Sequence, residues 1–233
     1  MSARFVPALF VPEAPLSHPP TESAPPQERL RKGATTRLRI LERAAPVFNQ
    51  RGYAGTSLNE LVAATGLEKG GIYNHFASKD DLALAAFDHA VDYVVARNVR
   101  TQAGHAGLDR LVALIEAFPG WTDDPALPGG CPLMNTAIDA DDTHPELAQR
   151  ARAAMESWHR LIGAIVKEAK HRGEIAADAD PRELASIVTG SLEGGLMLTR
   201  ITGDPAHLDR IVTHLVHYVA GLRRDRSAGA NVP

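Results

Sequence analysis

Within residues 69–75 lie four side chains able to hold phosphate or a base edge: Lys69, Tyr73, Asn74 and His75. Lysine supplies a point charge for phosphate, while phenol, amide and imidazole groups supply positioning and base-edge hydrogen bonds. Gly70 and Gly71 stand between them. Two glycines cost a helix about 1 kcal/mol each against alanine. Close backbone approach to a polyanion would explain them, as would tight packing on a neighbouring helix. The surrounding charge points the same way. Residues 29–79 carry nine Lys/Arg against three acids, residues 80–233 carry 15 against 22, and the whole chain is −3. A compact basic segment on an acidic body suggests a nucleic-acid-binding module joined to something else.

Other chemistries find less support. One cysteine rules out an intramolecular disulfide and any multi-cysteine zinc site. His214 and His217 share a helix face, but no HExxH, phosphate-cradling Gly loop or Gly-x-Ser-x-Gly elbow occurs. No metal, cofactor or catalytic residue is therefore expected. No apolar run approaches the ~18–20 residues that span a bilayer, so no membrane contact is expected. The apolar stretch in Met1–Val11 is short and broken by Pro7. This predicts a cytoplasmic, nucleoid-associated protein rather than a secreted one.

The elements that must position these residues are helical. Residues 1–32 hold seven of the 16 prolines between Pro7 and Pro26 and read as a disordered tail. From Thr36, Leu38, Leu41, Ala45 and Phe48 recur at helical spacing, with Pro46 expected to kink the segment and Gly52 to end it. A short helix follows from Ser57, where Ser57 and Glu60 have capping-box spacing. Gly66-Leu67 forms a turn, and a third helix over 69–76 turns Ile72 and Phe76 inward. Ser78 caps a helix of some 25 residues. Further helices are expected from Leu108, over 133–138, over 145–171, over 181–202 and from Asp204-Pro205 to about Leu222. No strand periodicity runs over six or more residues. The fold class is thus all-α, with about nine helices. A helix-turn-helix over 56–75 sits within an N-terminal three-helix DNA-binding domain, residues 33–94. A helical ligand-binding and dimerisation domain covers 95–223, and a tail covers 224–233.

At this point the residues carry a resemblance. Gly52-Tyr53, Thr56 and Ser57, then Thr65-Gly66-Leu67-Glu68-Lys69-Gly70-Gly71-Ile72-Tyr73-Asn74-His75-Phe76, then Ser78-Lys79-Asp80-Asp81-Leu82 resemble the DNA-binding domain of tetracycline-repressor-type (TetR) regulators. The resemblance covers about residues 34–94. It departs from the family at Gly71, where many members carry Thr or Ser. It implies that Thr56 caps the second helix and touches phosphate. It places Lys69 and Tyr73 on phosphate or a base edge, Asn74 and His75 near the bases, and Lys79 on the DNA backbone. Ser57, Gly70 and Gly71 complete the implied interface. Residue by residue, plainer roles remain open: Thr56 as a cap alone, Tyr73 packed on its own domain, His75 as a core histidine.

In the acidic body, the last two segments carry apolar stripes, Leu184, Ile187/Val188, Leu192 and Leu198, then Leu208, Ile211/Val212, Leu215 and Tyr218/Val219. These suit a four-helix homodimer interface or the subunit's own core. Phe118, Trp121, Met134 and Trp158 are candidate walls of a small-molecule pocket, with Asn135 and His159 as polar anchors. Cys131 precedes a helix N-terminus, which lowers a thiol pKa, so redox sensing and plain packing both fit. The expected partners are a double-stranded DNA operator, a small-molecule effector and a second copy of the chain. The function expected is a ligand-responsive transcriptional repressor. A DNA-independent ligand-binding or adaptor protein, or a helical enzyme with an unrecognised site, remains the alternative.

Overall fold

The computed structural model describes residues 26–121 and 124–224. The expected tails therefore lie largely outside the described residues. Nine α-helices and one 3-10 turn make up that part, and the strand-like pairing within it is one isolated bridge between Ile175 and Arg223.

The first helix, α1, is Pro26–Gly55, ten residues longer at its start than periodicity predicts. The tail boundary at residue 32 is thus corrected. Pro26 stands at the first helical position, where a missing N–H costs nothing, and Gln27, Glu28, Arg29 and Leu30 are good helix formers. Helical dihedrals persist through Pro46; the break falls at Gly52, with φ 72° and ψ 172°. A short helix α2, Leu58–Thr65, follows with the Ser57–Glu60 capping box formed. Gly66 takes the left-handed conformation that turns the chain into α3, Lys69–Tyr73, which stops three residues earlier than predicted, with Asn74 as its C-cap. Ile40, Leu41, Ala44, Leu61, Ile72, Phe76 and Leu82 close the core of this module.

The 24-residue helix α4, Lys79–Gln102, is capped by Ser78, whose hydroxyl accepts from Asp81 N–H at 3.0 Å. Its start lies in the N-terminal core through Leu82, Ala86 and Ala90. Tyr93, further along the helix, also packs partly on the N-terminal cluster. The body consists of α5, Leu108–Ala117, the turn Phe118–Trp121, α6, Pro132–Ala140, α7, Pro145–His171, α8, Pro181–Thr202, and α9, Ala206–Gly221. Residues Phe118–Trp121 wind into the 3-10 turn, which buries Phe118 and Trp121. Arg224 was placed in a tail, yet its N–H donates to the Glu174 carbonyl at 2.8 Å.

The domain boundary expected at 94/95 is not a gap. Leu127, from the loop before α6, lies in the N-terminal core. Asn49 on α1 donates to the carbonyls of Pro128 (2.9 Å) and Gly130 (3.0 Å). The Asn135 amide returns the contact to Asn49 and to the Gly129 carbonyl at 2.8 Å. Tyr53 N–H donates to Asp139 Oδ2 at 2.7 Å. A Cβ at Gly52 would fall 2.6 Å from Asp139 Oδ1, so Gly52 both ends the straight part of α1 and lets α6 approach it.

Candidate DNA-binding surface and buried cavity

Lys69, Gly70, Tyr73 and Asn74 are exposed on one side of α3, while Ile72 (1% exposed) anchors the other. His75 is half-buried at the end of the helix. Lys69 Nζ lies 5.8 Å from the Tyr73 ring centroid, a cation–π approach that keeps both groups on the outer face. The two glycines now separate the explanations offered for them. A Cβ at Gly70 would meet nothing within 4 Å, and at Gly71 only ordinary contact with Leu67 at 3.5 Å. Packing inside the chain therefore does not require either glycine. Exposed Arg31, Arg37, Arg39 and Arg43 on α1 extend the positive surface.

Two residues differ from the reading carried by the resemblance. Thr56 is only 1% exposed, and its hydroxyl donates to the Gly52 carbonyl at 2.7 Å. It braces the end of α1; Ser57 is the cap of α2, and a buried hydroxyl has no face left for phosphate. Ser57 itself is exposed but tied to Glu60, its N–H and hydroxyl donating to Oε2 at 2.7 and 2.9 Å. These bonds and Arg51 hold the Glu60 carboxyl below its ordinary range. Lys79 is half-buried, donates to the Tyr53 carbonyl at 2.7 Å and lies 4.2 Å from the Tyr53 ring centroid. In the free protein it fastens α4 to the end of α1. The Tyr53 hydroxyl donates to Asp80, which, with burial, pushes its pKa up to about 12.

The body holds a cavity of about 270 Å³ among α4, α5, α6, α7 and α8. Phe118, Trp121 and Trp158 line it, as their aromatic character suggested. The other three expected pocket residues do not. Met134 packs into the body core, His159 lines an open groove between α7 and α8, and Asn135 is spent on the contact with α1. The Asn135 carbonyl oxygen also accepts from Arg200 at 3.2 Å. Its amide is thus satisfied by the end of α1, the preceding loop and Arg200 rather than by a ligand.

Sequence reading passed over Glu193, Asn98, Gln102 and Thr189, which supply much of the polar part of the wall. Thr189 Oγ accepts from Trp158 Nε1 at 3.0 Å. Gln102 donates to the Asn98 carbonyl at 3.0 Å and accepts twice from Arg110. Burial holds the Glu193 carboxyl above its ordinary range, against the Cys131 thiol, which bonds it and pulls it down. At Cys131 the surroundings favour packing over redox sensing. Burial and the Glu193 carboxyl drive its pKa well up, outweighing the helix N-terminus that was expected to lower it. A protonated, buried thiol is a packing group. Among the described residues, no group of three or more His, Cys, Asp and Glu could hold a metal, and no helix is long and apolar enough to cross a membrane.

A recognition helix presented by a three-helix module, on a helical body with an internal cavity, defines a DNA-binding regulator. Residues 40–86 match the model of the bacterial regulatory proteins, tetR family, and residues 107–215 match that of the tetracyclin repressor-like C-terminal domain. A TetR transcriptional regulator from Chloroflexus aurantiacus is 44% identical, with TM-score 0.79 over 83% of this chain and 98% of that one. One from Cytophaga hutchinsonii is 33% identical, with TM-score 0.77 over 84% and 98%. The helix-turn-helix-type repressor DhaR of Mycobacterium sp. strain GP1 is 24% identical, covering 76% of this chain and 88% of its own. The chain belongs to the TetR family of transcriptional regulators.

Proposed function

We propose that the protein is a repressor that binds a pseudo-palindromic operator as a homodimer and is released when a small molecule enters the cavity. The observation that carries this reading is the course of α4. Leu82, Ala86 and Ala90 sit in the DNA-binding core, while Val94, Asn98 and Gln102 form cavity wall. A change in the wall therefore bears on a helix whose other end holds α3. The second link is α6. Its Pro132 and Leu133 touch the cavity, and its Asn135 and Asp139 grip the end of α1.

The outer face of α8 supports the dimer. Ile187, Met197, Leu198 and Ile201 are exposed in the single chain, with Gly190 and Gly194 between them and nothing within 4 Å of either. That is an apolar strip at helical spacing with room for a second backbone. The buried residues of the two expected stripes, Leu184, Val188, Leu192, Leu208, Leu215 and Val219, serve the subunit's own core instead. The interface thus uses the side of α8 that they leave free. Two-fold symmetry then sets two α3 helices on one face of DNA.

Lys69, Tyr73, Asn74 and His75 make the phosphate and base-edge contacts, with Ser57 and Lys79 at the margins. Gly70 and Gly71 allow close approach. Release by about 100-fold needs about 2.7 kcal/mol of coupling, within the usual range. The test is a footprint of the chain on its own upstream DNA beside sedimentation at micromolar concentration. A dimer with a two-fold footprint is expected, and Lys69→Ala with Tyr73→Ala should abolish the specific footprint. A monomer with an asymmetric footprint overturns the reading.

A further inference from the structure

Glu193 is the one ionised-type side chain in the cavity wall; no Lys, Arg or His lines it. Its Oε2 is buried and has no hydrogen-bond partner, the one such side-chain atom among the described residues. A buried polar atom left without a partner costs about 1–3 kcal/mol, and more when it is charged. Of the other polar groups of the wall, the Asn98 amide and the Ser157 hydroxyl are neutral, and the rest are engaged. Thr189 already accepts from Trp158, Gln102 is held by Arg110 and Asn98, and the Cys131 thiol is bonded to Glu193. Three aromatic side chains, Phe118, Trp121 and Trp158, stand around the same space. An aromatic face attracts a cation and a carboxylate pairs with one, whereas an anion finds no Lys, Arg or His in the wall to receive it.

From the cavity with its unpartnered carboxyl oxygen, we propose that the ligand is a small, mainly apolar organic cation, an aryl- or alkylammonium ion, received by Glu193. At about 270 Å³ the space lies at the small end of ligand sites, which run from ~300 to 1,000 Å³. One aromatic or branched aliphatic group with one ammonium centre fits that size. A turn of the terminal torsion of Glu193, which is soft in carboxylates, brings the free oxygen to the occupant. As the ammonium ion enters, the carboxyl proton passes to solvent, the carboxylate pairs with the ion, and the Glu193–Cys131 contact between α8 and the start of α6 changes. This rests on the reading of the cavity as the effector site.

The chain has two tryptophans, and both line the cavity. Intrinsic fluorescence therefore reports binding without DNA. The probes are phenyltrimethylammonium, its neutral isostere tert-butylbenzene, and benzoate. The wild-type chain should bind the cation at least ten-fold tighter than the isostere and show no response to benzoate. Glu193→Gln, which keeps the shape and removes the charge, should bring the cation to the level of the isostere. Circular dichroism on the variant checks its fold. Equal binding of cation and isostere, tighter binding of benzoate, no fluorescence response to the cation, or a cation preference that survives Glu193→Gln each overturns the proposal. Operator release is measured apart. Cation preference without release refutes the effector reading and leaves the ligand class standing. Release by another ligand, with no cation preference, refutes the ligand class alone.

Discussion

The DNA-binding module and the body solve opposite problems. The module presents exposed polar groups on a five-residue helix and uses the buried pair Ile72 and Phe76 to hold it. The body forms a cavity among five helices and leaves one carboxyl oxygen unsatisfied inside. The module's proposed DNA contacts come from residues between Ser57 and Lys79. The body's cavity is lined by residues from 91 to 193. Surface charge in water is inexpensive, so the module can carry many cations. A buried carboxyl is costly, so a single one dominates the character of the cavity.

The sharpest way to break the contrast is at the seam that joins the two regions. Asn49 is 7% exposed and serves Pro128, Gly130 and Asn135 at once. Asn49→Ala takes the amide donor from the carbonyls of Pro128 and Gly130, while the Asn135 amide keeps the Gly129 carbonyl and the backbone carbonyl of residue 49. A cost of about 2–3 kcal/mol in urea unfolding is expected. Operator affinity should fall less than ligand control of it, because α3 is untouched while the seam between α1 and the start of α6 is loosened. Unchanged stability together with unchanged control would mean that the regions communicate through α4 alone.

A smaller effect of opposite sign is expected on α3. Gly70 has open space for a methyl group in the free chain. Gly70→Ala should therefore stabilise the protein by up to about 1 kcal/mol. The same methyl should weaken operator binding if the helix backbone lies against DNA. Thermal unfolding and a filter-binding titration of one variant give both numbers. Unaltered operator affinity would remove the close-approach explanation and leave the glycines without a structural reason.

The contrast also decides what the sequence could reveal. Helix types and most boundaries followed from local rules: the Ser57–Glu60 box, Gly66, the Ser78 cap, Pro145 and Pro181 at helix starts. The exposed residues of α3 were legible because an amphipathic five-residue stretch has one inner face. Thr56 was misassigned because a threonine beside a serine fits either role, and only the position of the Gly52 carbonyl decides. Asn135 and His159 were chosen as pocket anchors for being polar on an apolar helix. Which face meets the cavity depends on how α6 and α7 cross their neighbours, and spacing along one helix does not encode that. Glu193 was passed over because a lone glutamate between glycines and leucines reads as solvent-exposed. Its partners come from α6, sixty residues away.

The smallest expected effect is also the most specific to that glutamate. Burial holds Glu193 above the ordinary carboxyl range, so the folded chain keeps a proton that the unfolded chain has released. Its contribution is full below the ordinary range and is lost as pH rises through the folded-state value, with a slope of at most about 1.4 kcal/mol per pH unit. Asp124, Glu168 and Glu174 act in the other direction. Each is held below its ordinary range, so their contributions are full above that range and disappear on acidification. The two sets therefore act on opposite sides of the ordinary carboxyl value. Among ionisable groups, the Cys131 thiol is the one set against Glu193; α4, α5 and α7 face the cavity with uncharged side chains. Glu193→Gln should flatten the fall in stability above the ordinary carboxyl range and leave the acid limb as it is. Unfolding free energies of the two proteins across that range give a difference curve belonging to Glu193 alone. A flat difference curve would mean that the carboxyl is solvated in solution, and the cavity would lose its one charged anchor. A difference confined to the acid limb would assign the effect to Asp124, Glu168 and Glu174 instead.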